Sequence, residues 1–124
     1  MKAINTKEAP AAVGPYSQAI VANGFVYASG QIGLDPKTGA LLGGLSDQTK
    51  QVLANLSEVL KAAGSDIDHV VKTTIFLTDM NDYAAVNELY AAVFSNTKPA
   101  RATIAVAALP KAALVEIEAV ALLK

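Results

Sequence analysis

Cysteine is absent from this chain of 124 residues, and histidine occurs only once, as His69. Disulfides, thiolate nucleophiles and clusters of His or Cys metal ligands are therefore excluded, and no metal site is expected. His69 follows Asp66-Ile67-Asp68 at a predicted loop or helix end, so we expect a surface residue without a catalytic role. Any chemistry has to come from carboxylates, hydroxyls, arginine or the backbone.

The chain also lacks an excess of either charge sign and any long run of apolar residues. The formal net charge is −1, and the lysines are scattered along the chain, so nucleic acid is not expected as a primary partner. The N-terminus has no apolar core of a signal peptide, and no apolar run reaches the roughly eighteen residues of a membrane span. We expect a single domain, residues 1–124, in the cytoplasm and not in a membrane.

The pattern of apolar residues and turn signals predicts an α/β sandwich of two layers. Strands are predicted around Asn23-Gly24, at 17–22 and 25–29, and again at 70–78, 102–107 and 114–123. A first helix is expected to be capped by Ser46 and to end before Gly64, and a second to open at Asp79 or Asn81 and end near Ser95. Two helices joined by right-handed crossovers cover only one face of such a sheet.

The last predicted strand indicates what the other face looks like. Alternation places Val115, Ile117, Ala119 and Ala121 toward the helices, and Leu114, Glu116, Glu118 and Val120 on the opposite side. A face that mixes apolar residues with carboxylates is explained more easily by packing against another subunit than by open solvent. We therefore expect a closed homo-oligomer in which sites can form between subunits.

Two charged residues interrupt the most apolar stretches and indicate a site. Arg101 can fork onto a carboxylate, and Glu116 can orient a water or stabilise a cationic carbon–nitrogen centre, so together they suggest a pocket for a small amino-acid-like molecule. The alternative for Arg101 is a solvated guanidinium at the entrance of a strand. The alternative for Glu116 and Glu118 is pairing with a basic residue of another subunit.

Other polar residues leave their roles open. Tyr16, after Gly14-Pro15, is either a core aromatic or directs its hydroxyl into a pocket. Asn87 lies among apolar helix positions, which favours a structural hydrogen bond to a neighbouring loop. Thr103, like the other strand threonines, fits strand propensity and is expected to be structural.

The order of several short motifs resembles one family along essentially the whole chain. The chain is similar to the RidA/YjgF enamine/imine deaminases in the segments Gly14-Pro15-Tyr16-Ser17-Gln18-Ala19, Ser29-Gly30-Gln31-Ile32, Val86-Asn87, Pro99-Ala100-Arg101 and Glu116-Ile117-Glu118-Ala119. The resemblance implies a chorismate-mutase-like α+β fold with two helices on one face of a mixed sheet. It also implies a homotrimer around a central barrel, with active sites between subunits.

The resemblance further implies hydrolysis of 2-aminoacrylate and related enamines, through their imines 2-iminopropanoate and 2-iminobutanoate, to 2-oxo acids and ammonia. No cofactor is implied, and the substrates would come from pyridoxal-phosphate-dependent dehydratases. Arg101 would bind the substrate carboxylate and Glu116 would hold or activate water. Gly30 and Thr103 would contact the substrate through their backbones, and Tyr16 and Asn87 would line the cleft.

The chain departs from the family pattern in two places. Thr103 stands where family members commonly carry cysteine, which excludes a thiol-dependent activity, and Ala105 and Ala108 stand where many carry charges. Two other functions remain as alternatives. One is a non-catalytic regulatory protein that binds a small ligand, and the other is an endoribonuclease or translation inhibitor, for which the acidic composition gives little support.

Overall fold

A computed structural model describes residues 1–124 as one six-stranded sheet with two helices. The strands are β1 Lys2–Ile4, β2 Ala19–Ala22, β3 Phe25–Gln31, β4 Val70–Leu77, β5 Ala100–Ala105 and β6 Val115–Leu122. The helices are α1 Leu45–Ala62, between β3 and β4, and α2 Tyr83–Phe94, between β4 and β5. Every predicted element is present, and β1 is an additional strand in what reads as a polar N-terminus.

The sheet is mixed, with the strand order β1-β2-β3-β6-β4-β5. Only β4 and β5 pair in parallel, and α2 forms the crossover between them. The β2–β3 hairpin turns through Asn23 (φ 53°) and Gly24 (φ 80°), as the Asn-Gly signal predicts. Because β6 lies between β3 and β4, the last segment of the chain becomes the centre of the sheet.

One face of the sheet forms the hydrophobic core with the helices. Val115, Ile117, Ala119 and Ala121 of β6 are all at most 3% exposed. Their neighbours in the core include Val52, Leu56 and Leu60 of α1 and Val86 and Phe94 of α2. The opposite face, which we call the open face, presents Glu116, Glu118 and Val120 together with exposed Tyr27 and Ile104. The predicted alternation of β6 is confirmed.

The boundaries of α1 show which local signals matter. The prediction of Ser46 as its N-cap is wrong, because Gly44 precedes the helix and no side chain caps it. At the other end, Gly64 (φ 86°) donates to the Lys61 carbonyl and Ser65 to that of Leu60, a Schellman motif. Gly64 is thus the left-handed residue that the sequence predicts. Neither helix combines the length and apolar character needed to cross a membrane.

The start of α2 also differs from the sequence prediction in detail. Asp79 accepts a hydrogen bond from the Asn81 amide and so caps a short 3₁₀ turn, Met80–Asp82, that leads directly into Tyr83. The aspartate cap therefore acts one turn before the helix proper. This lead-in places Tyr83 on the first turn of α2, beside β5.

Candidate functional site

Glu116 lies on the open face of β6 and borders a cleft of about 370 Å³. Tyr16 and Gly30 border the same cleft, so three of the residues predicted for the site come together. The side chain of Glu116 forms no ion pair within the chain. It is a half-buried carboxylate facing a space large enough for a small metabolite.

Gly30 lets the Glu116 carboxylate approach the backbone of β3. A Cβ atom at position 30 would come within 2.8 Å of Glu116 Cδ and closer still to Oε2. The β3–β6 ladder shifts register between Ala28 and Gln31, so Gly30 sits in a bulge. The bulge and the missing side chain together make room for the carboxylate.

The Glu116 carboxyl is electrostatically perturbed. Burial raises its pKa above the ordinary value, and the negative charge of Glu118 raises it further. A carboxyl with a raised pKa in a cleft holds a proton more readily than a free one and is placed to exchange it with a substrate or a water.

Buried amides hold the walls of this cleft. Gln18, 1% exposed, accepts from the Thr6 amide at 2.7 Å and donates to the Pro10 carbonyl at 2.8 Å, which fixes the N-terminal segment along one side. Asn55 of α1 donates to the Leu34 carbonyl at 2.9 Å and so anchors the connection between β3 and α1 on another side. Lys111 lies at the rim in a left-handed conformation (φ 56°).

Arg101, the only arginine, lies on β5 and contacts α2. Its Nη1 donates to Asn87 Oδ1 at 2.8 Å, and its Nη2 donates to the Tyr83 hydroxyl at 2.8 Å. The guanidinium carbon lies 4.8 Å from the centre of the Tyr90 ring. The guanidinium is therefore held by three side chains of one helix, which corrects the alternative of a solvated surface arginine. The loop partner expected for Asn87 is wrong, since its partner is Arg101.

A second cavity, of about 450 Å³, borders Arg101, Asn87, Tyr90 and Lys98. Thr103, two residues along β5, has a buried hydroxyl with no hydrogen-bond partner. Buried polar atoms in native proteins nearly always have a partner, so this hydroxyl is an exception within the chain.

The two groups of residues lie on opposite faces of the sheet. Side chains directly opposite on neighbouring strands share a face. Arg101 lies opposite Thr73, and Thr73 opposite buried Ala119, so Arg101 is on the helix side. Glu116 lies opposite Phe76, on the open face. Within one chain the structure therefore does not bring Arg101 and Glu116 into one pocket, although the sequence analysis pairs them.

Sequence reasoning missed Tyr83, Gln18 and Asn55. Tyr83 reads as one more apolar helix residue, whereas its hydroxyl contacts Arg101. A signal for the two amides was available, because a glutamine or asparagine among core residues needs partners. His69 contacts Asp66 at 2.6 Å on the surface, outside both cavities, as expected.

Comparisons with known proteins agree with the fold and the resemblance. The family model described as Endoribonuclease L-PSP matches residues 6–123. The chain is 55% identical to the mouse (Mus musculus) protein named 2-iminobutanoate/2-iminopropanoate deaminase, over 97% of this chain and 90% of that protein.

Two solved structures show the similarity in three dimensions. The crystal structure of RidA from the Antarctic bacterium Psychrobacter sp. PAMC 21119 has a TM-score of 0.96 at 46% identity, covering 99% of this chain and 100% of that one. E. coli TdcF with bound serine has a TM-score of 0.94 at 38% identity, with both chains fully covered. The chain belongs to the Endoribonuclease L-PSP family, the family of the RidA and YjgF proteins that its motifs resemble.

Proposed function

We propose that this protein hydrolyses reactive 2-imino acids, formed from enamines such as 2-aminoacrylate, to 2-oxo acids and ammonia. The observation that carries the proposal is the 55% identity, over 97% of the chain, to a mouse protein named for this reaction. The two clusters of site residues supply the chemistry that the reaction needs.

A site that binds a protonated 2-imino acid needs one cation for the carboxylate of the substrate and one anion near its iminium group. The carboxylate matches the Arg101 guanidinium, and the iminium carbon is attacked by a water that Glu116 holds and deprotonates. The adduct carries a hydroxyl and an amino group on the same carbon. When the proton taken by Glu116 passes to the amino group, the carbon–nitrogen bond breaks and ammonia leaves. The Glu116 carboxylate then takes the proton of the hydroxyl as the carbon–oxygen double bond of the 2-oxo acid forms, and this proton passes to the solvent.

Arg101 keeps enough donors for this role. A guanidinium has five N–H donors, and Asn87 and Tyr83 use two of them. A bidentate carboxylate needs two of the remaining three. The contacts to α2 therefore leave Arg101 able to bind a substrate carboxylate.

The site is completed between subunits of a homotrimer whose sheets line a central barrel. The carboxylate and the reacting carbon of a 2-imino acid are directly bonded, so one substrate cannot contact Arg101 and Glu116 on opposite faces of the same sheet. We infer that Arg101 of one subunit meets Glu116 of its neighbour. The exposed apolar residues of the open face, such as Tyr27 and Ile104, support burial against another copy.

The remaining site residues belong to two groups, one beside Glu116 and one beside Arg101. Tyr16 and the Gly30 backbone accompany Glu116, and Asn87 and Thr103 accompany Arg101. Thr103 lies two residues from Arg101 on the same face of β5, which supports a backbone contact with a ligand beside Arg101. The proposed hydrolysis uses only water as co-reactant. Pyridoxal-phosphate-dependent dehydratases in the cytoplasm would supply the substrates.

Trapping of the reactive intermediate tests the function. A dehydratase generates 2-aminoacrylate in place, and semicarbazide competes for the imine in the presence of wild type, Arg101→Ala, Glu116→Ala or no added protein. Wild type should suppress trapping, and Arg101→Ala should lower kcat/KM well over tenfold, since losing such a contact costs about 2–5 kcal/mol. Lys61→Ala, at an exposed salt bridge of α1, is the control and should match wild type. Equal trapping in all samples would overturn the proposal.

Mixing the two inactive variants tests the shared site. An Arg101→Ala subunit still offers Glu116, and a Glu116→Ala subunit still offers Arg101. If assembly is random after subunit exchange of a 1:1 mixture, about one quarter of the interfaces should hold an intact site. Recovery of about a quarter of the wild-type activity is expected. No recovery, in mixed trimers confirmed by mass spectrometry, would place both groups in the same subunit's site.

Ligand binding without catalysis is a second candidate, favoured by one relative, since E. coli TdcF has been solved with bound serine. In that case 2-oxobutanoate would bind to wild type and not to Arg101→Ala, and neither protein would suppress trapping. The endoribonuclease of the family description is tested in the same series, because RNA cleavage that survives Arg101→Ala would need a different site.

A further inference from the structure

Three side chains of α2 form a cluster around the Arg101 guanidinium. They occupy positions 83, 87 and 90, which are spaced along one face of the helix. Tyr83 and Asn87 each accept a guanidinium hydrogen bond at 2.8 Å, and the Tyr90 ring lies against the guanidinium with its centre 4.8 Å from the guanidinium carbon. The cluster thus contacts the arginine with two acceptors and an aromatic ring.

A buried hydroxyl pair fixes the aromatic ring of this cluster. The Tyr90 hydroxyl lies 2.7 Å from Thr73 Oγ1 on β4, and both residues are at most 6% exposed. Tyr90 also packs on Phe94 with ring centres 4.5 Å apart. The ring under Arg101 is therefore held at its far end by β4 and along its side by α2.

We propose that Tyr83 and the Tyr90–Thr73 pair are positioning residues, which set the orientation of the Arg101 guanidinium before a substrate carboxylate binds. The inference rests on the proposed function and deepens it. An arginine side chain has many rotamers, and one held in place beforehand loses less freedom when it binds a carboxylate. Bidentate recognition is sensitive to the orientation of the guanidinium plane, which the contacts to Tyr83 and Asn87 define.

The hydrogen-bond inventory of the cluster supports a surface for an anion. Arginine offers donors only, so the Tyr83 oxygen and Asn87 Oδ1 must act as acceptors toward it. The Tyr83 O–H and the Asn87 amide protons remain as donors beside the free N–H groups of Arg101. Every polar hydrogen left available therefore suits a carboxylate.

A purely structural role of Tyr83 makes a different prediction from a positioning role. If the tyrosine only attached α2 to β5, its loss would lower stability and leave carboxylate binding alone. If it positions Arg101, removing the hydroxyl weakens carboxylate binding and requires Arg101 to be present. Thermodynamic coupling between the two residues separates these roles.

The experiment compares Tyr83→Phe, which keeps the ring, with Glu88→Gln, a control at an exposed position of the same helix. kcat/KM and the inhibition constant of 2-oxobutanoate are measured in the wild-type and Arg101→Lys backgrounds. Because hydrogen bonds to charged groups are strong, Tyr83→Phe should lower kcat/KM about tenfold, mainly through KM, and raise the inhibition constant by a similar factor. In the Arg101→Lys background the effect should fall below about twofold.

The aromatic ring is tested by the double variant Thr73→Val/Tyr90→Phe, which removes both hydroxyls and leaves neither unsatisfied. It should also raise KM, with kcat less affected, and it should keep the melting temperature within a few degrees of wild type. Direct titration with 2-oxobutanoate by NMR gives the same comparison for any variant too slow for kinetics.

The outcomes separate this inference from the proposed function. Wild-type carboxylate binding by Tyr83→Phe would overturn the positioning role, as would an equal loss in the Arg101→Lys background. If Arg101→Ala abolishes activity while Tyr83→Phe leaves it intact, the proposed function stands and only the positioning role is wrong. If Arg101→Ala retains full activity and ligand binding, the role of Arg101 and the positioning role are both wrong, while the deaminase activity itself stands.

Discussion

Replacing Gly30 with alanine should strongly lower the catalytic activity and leave the stability of the fold unchanged or slightly higher. The added Cβ would lie within 2.8 Å of Glu116 Cδ and 3.0 Å of Cγ, well inside the usual contact distance. Its φ angle is not in the left-handed region, so alanine is not strained at this position. The side chain of Glu116 has to move aside, while the backbone of β3 can stay in place.

The size of the effect follows from this displacement. Restoring an ordinary carbon–carbon contact moves the carboxylate by about 1 Å, and a misplacement of that size costs about 100-fold in rate. Stability should be unchanged or rise by up to about 1 kcal/mol, because alanine restricts the unfolded chain. kcat/KM from the trapping assay and urea unfolding measure the two quantities.

A matched control and a double variant make the test specific. Gly43→Ala adds a Cβ that meets nothing within 4 Å, also without a left-handed φ, and should be neutral in both assays. In a Glu116→Ala background, Gly30→Ala should cause little further loss. Activity of Gly30→Ala within twofold or threefold of wild type would refute the proposed placement of the catalytic carboxylate.

The remaining predictions concern electrostatics and the scaffold. Glu118→Gln should lower the pKa of Glu116, so the acid limb of the kcat/KM profile should move to lower pH. Because the pKa of Glu116 is raised in the folded protein, the free energy of unfolding falls as the pH rises through that pKa. Glu118→Gln should make this fall smaller. Gly64→Ala should lower the free energy of unfolding by about 1–2 kcal/mol through its φ of 86°, with no effect on KM. Gln18→Ala should cost about 2–4 kcal/mol, since a buried side chain loses several hydrogen bonds to the N-terminal segment. Unchanged unfolding curves would contradict the last two.

The sequence predicted those parts of the fold that depend on local signals. The Asn23-Gly24 turn, the Gly64 helix end and the alternation of β6 are each determined by residues next to one another. β1 was not predicted because it has only three residues, and their strand partners are all in β2, at the edge of the sheet. The prediction of Ser46 as the N-cap was wrong because Gly44 occupies that position, which places Ser46 inside the first turn of α1.

Some members of the candidate site were predictable from the sequence, but their arrangement was not. Charge in an apolar strand makes Arg101 and Glu116 candidates from sequence alone. Their face depends on strand register, and β5 is paired only with β4, from which the whole of α2 separates it along the chain, so no local pattern reveals that register. The partner of Asn87 was missed for the same reason, since Arg101 reaches it only after β5 has docked.

Successive side chains of strand β6 alternate between the core and the open face, so folding and function use different residues of the same strand. Val115, Ile117, Ala119 and Ala121 build the core, while Glu116 and Glu118 stand between them on the open face. A one-residue slip would bury both carboxylates against α1 and expose the core residues, so the register is strongly specified. The same carboxylates make the open face unsuitable for an arbitrary apolar partner, because a buried charge needs a matching donor. In the assembly we propose, a second copy that brings Arg101 would supply such a donor, so the shared site and the specific assembly would be parts of one physical requirement.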